Sequence, residues 1–179
     1  MCPHCLDALC NMGSICHRGI FSCNGDAFSP KAAGQHKETK KSSKRGQFES
    51  EHLFPHAALK LSGINYSYQT EPTLSIPYDV HRGGQSGAGG GVSSTGSSGT
   101  ASGWSSHLGT LAQNDFPGAL RLAVIDQLNA HYVNGNLSAE VAMQVIQVVN
   151  GHASLGRLTG TQAGEINNLI ADYYYSRAK

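Results

Sequence analysis

Residues 82–103 place the strongest constraint on the fold, because they are almost entirely glycine, serine and threonine and include nine glycines. A stretch of this composition offers too few apolar side chains to build a core, and it predicts a flexible loop. The ordered elements of the chain are therefore expected before and after this loop.

Short strands are predicted ahead of the loop. Residues 48–54 and 73–78 have a strand-like composition, and residues 64–69 alternate in the manner of another strand. Pro77 marks the end of the last strand or a sheet edge, since proline lacks a backbone donor. After the loop, Ser102 or Ser105 can cap a helix, which would place His107 in the first turn of that helix.

Three amphipathic helices are predicted in residues 115–179. The first ends near Asn134, the second begins at a capping Ser138, and the third begins near Thr159. Apolar side chains recur on one face of each helix, as expected for helices that pack as a small bundle on the rest of the core. The predicted fold class is therefore α+β with a helical C-terminal part.

The charge of the chain is small but unevenly distributed. The chain of 179 residues can build one sizeable domain with a small appendage, and its net charge is +1, so the protein is not basic as a whole. Residues 31–47 nevertheless hold six Lys and Arg residues: Lys31, Lys37, Lys40, Lys41, Lys44 and Arg45. This polar segment is predicted to be a linker or mobile arm, which either lies along a phosphate backbone or is merely solvated.

Sorting signals are not apparent in the sequence. No continuous apolar stretch approaches the roughly eighteen residues of a membrane helix, and residues 1–5 lack the basic start and apolar run of a signal peptide. We therefore expect no membrane insertion and a protein that is made and stored in the cytoplasm. To act elsewhere, it would need a dedicated machine or a fused delivery module.

All five cysteines lie within the first 23 residues. An odd number without a leader argues against a disulfide framework. Cys2 and Cys5 have the spacing of half a zinc site. The other two ligands would be Cys16 and Cys23, with Cys10, His4 and His17 as alternatives. Residues 1–30 are expected to be a Cys-rich head that either binds a structural Zn²⁺ or holds reduced thiols in a partly ordered segment.

Glu51 and His52 lie side by side at the end of the first predicted strand. The carboxylate can bind a cation, and a neutral imidazole can take a proton from water near pH 7. His81 and His107 follow at long intervals. Any one of these residues is more often ordinary surface than a site, but the ordered set in one segment indicates metal-dependent phosphodiester hydrolysis.

Two neighbours compete for these roles. Glu49 can replace Glu51 as a ligand, because alternate residues of a strand share a face. His56 is close enough to His52 to be a competing ligand, although a solvent-facing residue is the simpler interpretation. Because Glu51 and His52 would point to opposite faces of a regular strand, they can serve one water only if the strand ends or bends there.

The order Glu51-His52, His81, His107 resembles the HNH (ββα-metal) nucleases, and it is most similar to the bacterial polymorphic toxins named for an E-H-H-H signature. The resemblance covers roughly residues 47–130. It implies a ββα-metal core in residues 48–114, with Glu51 and His107 as metal ligands and His52 as the catalytic general base. His81 takes the position of an asparagine in the parent motif, where it would orient His52, touch the phosphate or act as a third ligand.

The resemblance also implies an activity, a cofactor and partners. The chain would be a DNA-cleaving antibacterial toxin that uses Mg²⁺ or Mn²⁺, with Zn²⁺ or Ni²⁺ as alternatives. Arg82, Lys44 and Arg45 would bind phosphates. A cognate immunity protein would block the site, and a secretion system, often type VI, would deliver the toxin into the cytoplasm of rival bacteria.

Two other classes of function stay open on the sequence. A zinc-dependent cell-wall or peptide hydrolase would use similar ligands, but the compact His-Glu-x-x-His spacing is missing. A zinc-finger-like nucleic-acid-binding module would use the cysteines, but residues 115–179 contain no basic recognition helix. The glycine-rich loop, in turn, is either a mobile flap over nucleic acid or a spacer.

Overall fold

The computed structural model describes residues 33–42, 47–82 and 98–177. Within these ranges the chain forms three strands, which are β1 (Ala33–Gln35), β2 (Phe48–Glu51) and β3 (Pro72–Pro77). It also forms seven helices, which are α1 (His36–Ser42), α2 (His56–Ser62), α3 (Tyr78–Arg82), α4 (Ser98–Ala112), α5 (Phe116–Val133), α6 (Ala139–Ser154) and α7 (Gly160–Arg177). The predicted α+β class is confirmed.

The strands form one antiparallel sheet in the order β1-β3-β2. Leu74 of β3 is paired with Ala33 on one side and with Glu51 on the other. Leu74 and Ile76 are fully buried, so β3 carries the apolar face of the sheet into the core. Proline stands at both ends of β3, where Pro72 is paired with Gln35 and Pro77 with Phe48.

The prediction of a strand at residues 64–69 is wrong. The chain turns there instead, since the amides of Thr70 and Glu71 both donate to the carbonyl of Ser67, at 2.9 and 3.0 Å. The alternation that suggested a strand does not match a buried face, because Tyr66 is half-buried and Tyr68 is exposed.

The C-terminal helices form as predicted. Ser138 caps α6 by accepting a hydrogen bond from the amide of Val141 at 3.2 Å, which confirms its predicted role. Asp115 caps α5 in the same way by accepting from the amide of Gly118 at 2.9 Å. The buried apolar side chains of these helices join those of β3 and α2 in one continuous core.

Helix α4 begins at Ser98, so it takes in the last residues of the predicted loop. His107 consequently does not lie in the first turn, and that prediction is wrong. The second half of α4 packs closely on α2, where Leu108 is fully buried. Once this half is helical, extending it costs only about 1 kcal/mol for each glycine, so the glycine-rich composition does not prevent the helix.

The basic segment is also more ordered than predicted, because residues 33–42 form β1 and α1. Two side chains one turn apart, His36 and Thr39, are buried against the sheet. The Thr39 hydroxyl lies 2.6 Å from the hydroxyls of both Ser50 and Thr73, which ties α1 to β2 and β3. Because α1 is held to the sheet by polar side chains, its sequence shows no apolar periodicity from which the helix could be predicted.

Several predicted features lie outside the described residues. These are the ligands proposed for structural zinc (Cys2, Cys5, Cys16 and Cys23), the phosphate-binding Lys44 and Arg45, and most of the glycine-rich segment. In the ranges that are described, no helix is long and apolar enough to cross a membrane.

Candidate functional site

The candidate site lies where β2 ends against α3. Glu49 and Glu51 point to the same face of β2, because side chains two residues apart in a strand share a face. The imidazole of His81, on α3, lies between them: its Nδ1 contacts Glu49 and its Nε2 contacts Glu51. Two carboxylates from one strand thus bind one imidazole from the following helix.

The protonation of His81 follows from these contacts. Burial of the ring alone would lower the pKa of His81, but the hydrogen bonds to Glu51 and Glu49 outweigh it and raise the pKa above its usual range. The side chain is 8% exposed. With acceptors at both ring nitrogens, the imidazolium form satisfies both carboxylates.

Arg82 neutralises the outer carboxylate of the site. Its Nε donates to Glu49 at 2.9 Å and its Nη2 donates to the other oxygen at 3.4 Å. Burial alone would raise the pKa of Glu49, but the hydrogen bonds from Arg82 and His81 lower it overall. The Arg82 side chain is about half exposed, so its guanidinium lies at the mouth of the site.

β2 ends at Glu51, so His52 is the first residue after the strand. Its side chain therefore does not have to point to the face of the sheet opposite Glu51. Its Nε2 donates to the backbone carbonyl of Tyr68, 3.4 Å away. Because a carbonyl only accepts, Nε2 carries the proton and Nδ1 carries the lone pair. Burial lowers the pKa of His52, partly offset by Tyr68 and Glu51, and favours the neutral ring at pH 7.

His36 is the site residue that sequence reasoning missed. Its ring stacks on that of His52 with centroids 4.5 Å apart, and its Nδ1 lies 3.0 Å from the Ser50 hydroxyl. Burial, together with the nearby charges of His52 and Lys40, lowers the pKa of His36 to about 4. Its only signal in the sequence was its position within the basic segment of residues 31–47.

Tyr68 covers the imidazoles on the solvent side. Its ring centroid lies 4.5 Å from that of His36, 4.9 Å from that of His52 and 5.0 Å from that of His56. Since Tyr68 is itself exposed, the imidazoles are shielded by its ring but lie close to the surface.

The structure brings some of the predicted site residues together and leaves one of them elsewhere. Glu51, His52, His81 and Arg82 come together at one end of the sheet, although they lie far apart in the sequence. His107 lies on an exposed face of α4, where its ring centroid is 6.2 Å from that of Trp104.

The Glu51–His81 pair has the donor chemistry that a divalent cation needs once the His81 imidazolium has released the Nε2 proton that it shares with Glu51. Carboxylate oxygen suits Mg²⁺ or Mn²⁺, and imidazole nitrogen extends the range to Zn²⁺ or Ni²⁺. In the described residues, no three His, Cys, Asp or Glu side chains are placed to hold a metal ion together. The pair therefore fits a cation with two protein ligands that takes its other ligands from water and phosphate, as Mg²⁺ commonly does.

A basic surface lies beside the candidate site on α1. The helix buries His36 and Thr39 in the site and presents Lys37, Lys40 and Lys41 to solvent. The Lys41 side chain is 76% exposed and has Glu38 within 3.7 Å. Three ammonium groups on a helix that touches the site provide the local positive charge that phosphate binding requires.

Comparison with known proteins adds no relative from which a role can be transferred. No family model, no curated protein and no solved structure matches this chain. The chemistry of the site must therefore be inferred from its own side chains.

Proposed function

We propose that this protein is a metal-dependent endonuclease that hydrolyses phosphodiester bonds in DNA with His52 as the general base. The observation that carries the proposal is the orientation of His52: the Tyr68 carbonyl holds its Nε2–H, and its neighbour Glu51 is paired with His81. A neutral base beside a two-residue cation site is the combination that phosphodiester hydrolysis uses.

His52 accepts the proton of the attacking water at Nδ1. Its lowered pKa keeps the ring unprotonated at neutral pH, so it is ready to act as a base without a preceding loss of a proton. The carbonyl of Tyr68 keeps the ring from turning over, and it stabilises the imidazolium that forms when the water is deprotonated.

Glu51 and His81 would hold the divalent cation, Mg²⁺ or Mn²⁺ in the first instance and Zn²⁺ or Ni²⁺ as alternatives, and His81 would release its Nε2 proton when the cation binds. When bound, the cation stabilises the charge that develops on the phosphate and the leaving oxygen. Helix α2 lies between β2 and β3 along the chain, so the two strands and α3 are not consecutive, and the resemblance to the ββα-metal nucleases rests on the order of the site residues. In this arrangement His81, and not His107, is the ligand on the helix.

Positive charge beside the candidate site would hold the DNA. Arg82 lies at the mouth, with Glu49 fixing its Nε, and can turn its remaining donors to a phosphate. Lys37, Lys40 and Lys41 extend this surface along α1. A protein with a net charge of only +1 would thus concentrate its phosphate contacts where the chemistry occurs.

The biological role that we propose rests on the E-H-H-H resemblance. The protein would act as an antibacterial effector that a secretion machinery delivers into a target cell, and a cognate immunity protein would cover the site in the producing cell. Because the site is surrounded by lysine and arginine, such an immunity protein would present an acidic surface to it.

The test is incubation of purified protein with supercoiled plasmid in Mg²⁺, Mn²⁺, Zn²⁺ or EDTA. Nicking or degradation that requires a divalent cation is the expected result. Intact plasmid with hydrolysed peptidoglycan or protein would show a cell-wall or peptide hydrolase instead. Tight DNA binding without cleavage under every metal would show a non-enzymatic nucleic-acid-binding module.

A further inference from the structure

The segment between α2 and β3 carries the carbonyl that orients His52, yet it has no regular secondary structure. Its internal hydrogen bonds are confined to one turn, in which the amides of Thr70 and Glu71 donate to the carbonyl of Ser67. A turn of this kind shapes the segment locally but does not fix its position relative to the sheet. Contacts from elsewhere in the fold must do so.

Arg157, in the connection between α6 and α7, provides those contacts. Its Nη1 and Nη2 donate to the two carboxylate oxygens of Glu71 at 2.6 and 2.7 Å. Nη2 also donates to the backbone carbonyl of Asn65 at 3.0 Å. The guanidinium therefore binds the segment on both sides of Tyr68.

The ion pair is buried, with side-chain exposures of 8% for Arg157 and 2% for Glu71. Desolvation largely cancels the attraction within a buried pair, so its net contribution to stability is small. Its geometry, in contrast, is specific, because a planar guanidinium fork fits a carboxylate in one orientation. The Ser67 amide also donates to Glu71, at 3.3 Å, so the same carboxylate fixes the turn that precedes Tyr68.

The far side of the segment meets the imidazole pair. The carbonyl of Tyr68 accepts from His52, and the carbonyl of Glu71 accepts from the amide of His36 at 2.9 Å. The amide of Lys37 likewise donates to the carbonyl of Gln69 at 3.0 Å. A shift of the segment would therefore move the acceptor of His52 and the start of α1 together.

We infer that Arg157 is a positioning residue for His52 and acts through Glu71 and the Tyr68 carbonyl. The connection between the C-terminal helices α6 and α7 would then determine which tautomer His52 adopts. The kinetic consequence depends on the proposed role of His52 as the base, whereas the tautomer can be measured without any assumption about activity.

The test compares Arg157→Met and Arg157→Lys with the wild-type protein. Arg121→Met is the matched control, because it breaks another Arg–Glu pair, Arg121–Glu165, on the exposed face of the helices. The readout is the ¹⁵N spectrum of the His52 ring, identified by its loss in His52→Gln, beside kcat and KM for plasmid cleavage.

The wild-type ring is expected to be the Nε2–H tautomer. In Arg157→Met the ring should become a mixture of tautomers, and kcat should fall by about 10- to 100-fold with KM nearly unchanged, as for a misplaced catalytic group. Arg157→Lys, which keeps the charge but not the fork, should lie between these values. Arg121→Met should match the wild type.

A folded Arg157→Met protein with the wild-type His52 spectrum and kcat overturns the inference. If Arg157→Met does not fold, the spectrum of Arg157→Lys decides it: an unchanged tautomer overturns the inference, and a mixture supports it. If the wild-type protein cleaves no nucleic acid under any metal, the proposed function fails. The spectra still decide whether Arg157 positions His52.

Discussion

The Nε2 atom of His81, on the short helix α3, is in direct contact with the carboxylate of Glu51 at the end of β2. This contact brings an imidazole nitrogen and a carboxylate oxygen together at the point where His52 leaves the strand. It also explains why a five-residue helix holds its position beside the sheet, since Glu49 binds the other nitrogen of the same ring. The two carboxylates nevertheless differ in their surroundings, and this difference can be tested.

Glu51→Gln should weaken Mn²⁺ binding by at least about tenfold, equivalent to about 1.4 kcal/mol, whereas Glu49→Gln should change it little. The reason is that Arg82 already neutralises Glu49 through two hydrogen bonds, at 2.9 and 3.4 Å. Titration calorimetry with Mn²⁺ at neutral pH measures both variants against the wild type.

His107→Ala supplies the control for this assignment. Because His107 lies on an exposed face of α4, its removal should leave Mn²⁺ affinity unchanged. A loss of affinity in His107→Ala as large as that in Glu51→Gln would contradict the placement of the cation at Glu51 and His81. It would favour the ligand pair that the sequence resemblance implies.

Exchanging Lys40 and Lys41 for glutamine should weaken DNA binding and reduce its dependence on salt. Each lost phosphate contact lowers the slope of log K against log[salt] by about 0.9. Fluorescence anisotropy with a DNA duplex in the His52→Ala background measures binding without cleavage. Lys60→Gln, on the exposed side of α2, is the control and should keep the wild-type slope.

Gly109→Ala should destabilise the fold by about 1–3 kcal/mol, because α4 crosses α2 closely at this position. An added Cβ would lie 2.6 Å from the Cβ of Leu61 and 3.0 Å from the backbone oxygen of Ala58. Neither atom belongs to a flexible end of a side chain, so the helices must separate. Urea unfolding measures the change.

Gly103→Ala in the same helix is the matched comparison. Nothing lies within 4 Å of its added Cβ, so the substitution should stabilise α4 by about 0.5–1 kcal/mol through the lower backbone entropy of alanine. Equal effects of the two substitutions would show that α4 does not cross α2 at Gly109.

Stability should fall as the pH is lowered from 7 to 5, and His131 accounts for part of the change. Burial lowers the pKa of His131 to about 4 in the folded protein, so the ring stays neutral there while the unfolded chain takes up a proton below about pH 6.5. Protonation of the unfolded chain therefore favours unfolding as the pH falls, by about 2 kcal/mol between pH 7 and 5 for this histidine.

The His131→Leu variant isolates this contribution. Its free energy of unfolding, measured with urea at pH 7 and pH 5, should drop by about 2 kcal/mol less than that of the wild type over the same interval. His152 remains in the variant and still contributes, because burial and the Arg157 charge lower its pKa to about 3. An identical drop in variant and wild type would show that His131 is protonated in the folded protein.

Local patterns in the sequence were enough to predict parts of this fold. The strands near residues 48–54 and 73–78 and the three C-terminal helices depend on composition, periodicity and caps such as Ser138, which act over a few residues. The first of these strands is shorter than predicted, because β2 ends at Glu51, and this end meets the condition under which Glu51 and His52 can serve one water. These features need no knowledge of distant contacts.

The rest of the site depends on contacts that no local pattern contains. His36 reaches the site because α1, in a segment with the composition of a basic linker, is tied to the sheet by hydrogen bonds between hydroxyl groups. The acceptor of His52 is a backbone carbonyl, which any residue could supply at position 68. Arg157 and Glu71 are 86 residues apart in the sequence, so only the three-dimensional structure shows that they form an ion pair.

The most direct test of the account is the rate of plasmid cleavage by His52→Ala beside His56→Ala. The two imidazoles are neighbours, with ring centroids 6.4 Å apart, but only His52 has its Nε2–H held by the Tyr68 carbonyl. With saturating Mn²⁺, His52→Ala should lose at least about 100-fold in rate, as expected for removal of a general base, while His56→Ala keeps most of its activity. Cleavage by His52→Ala at the wild-type rate would contradict the account.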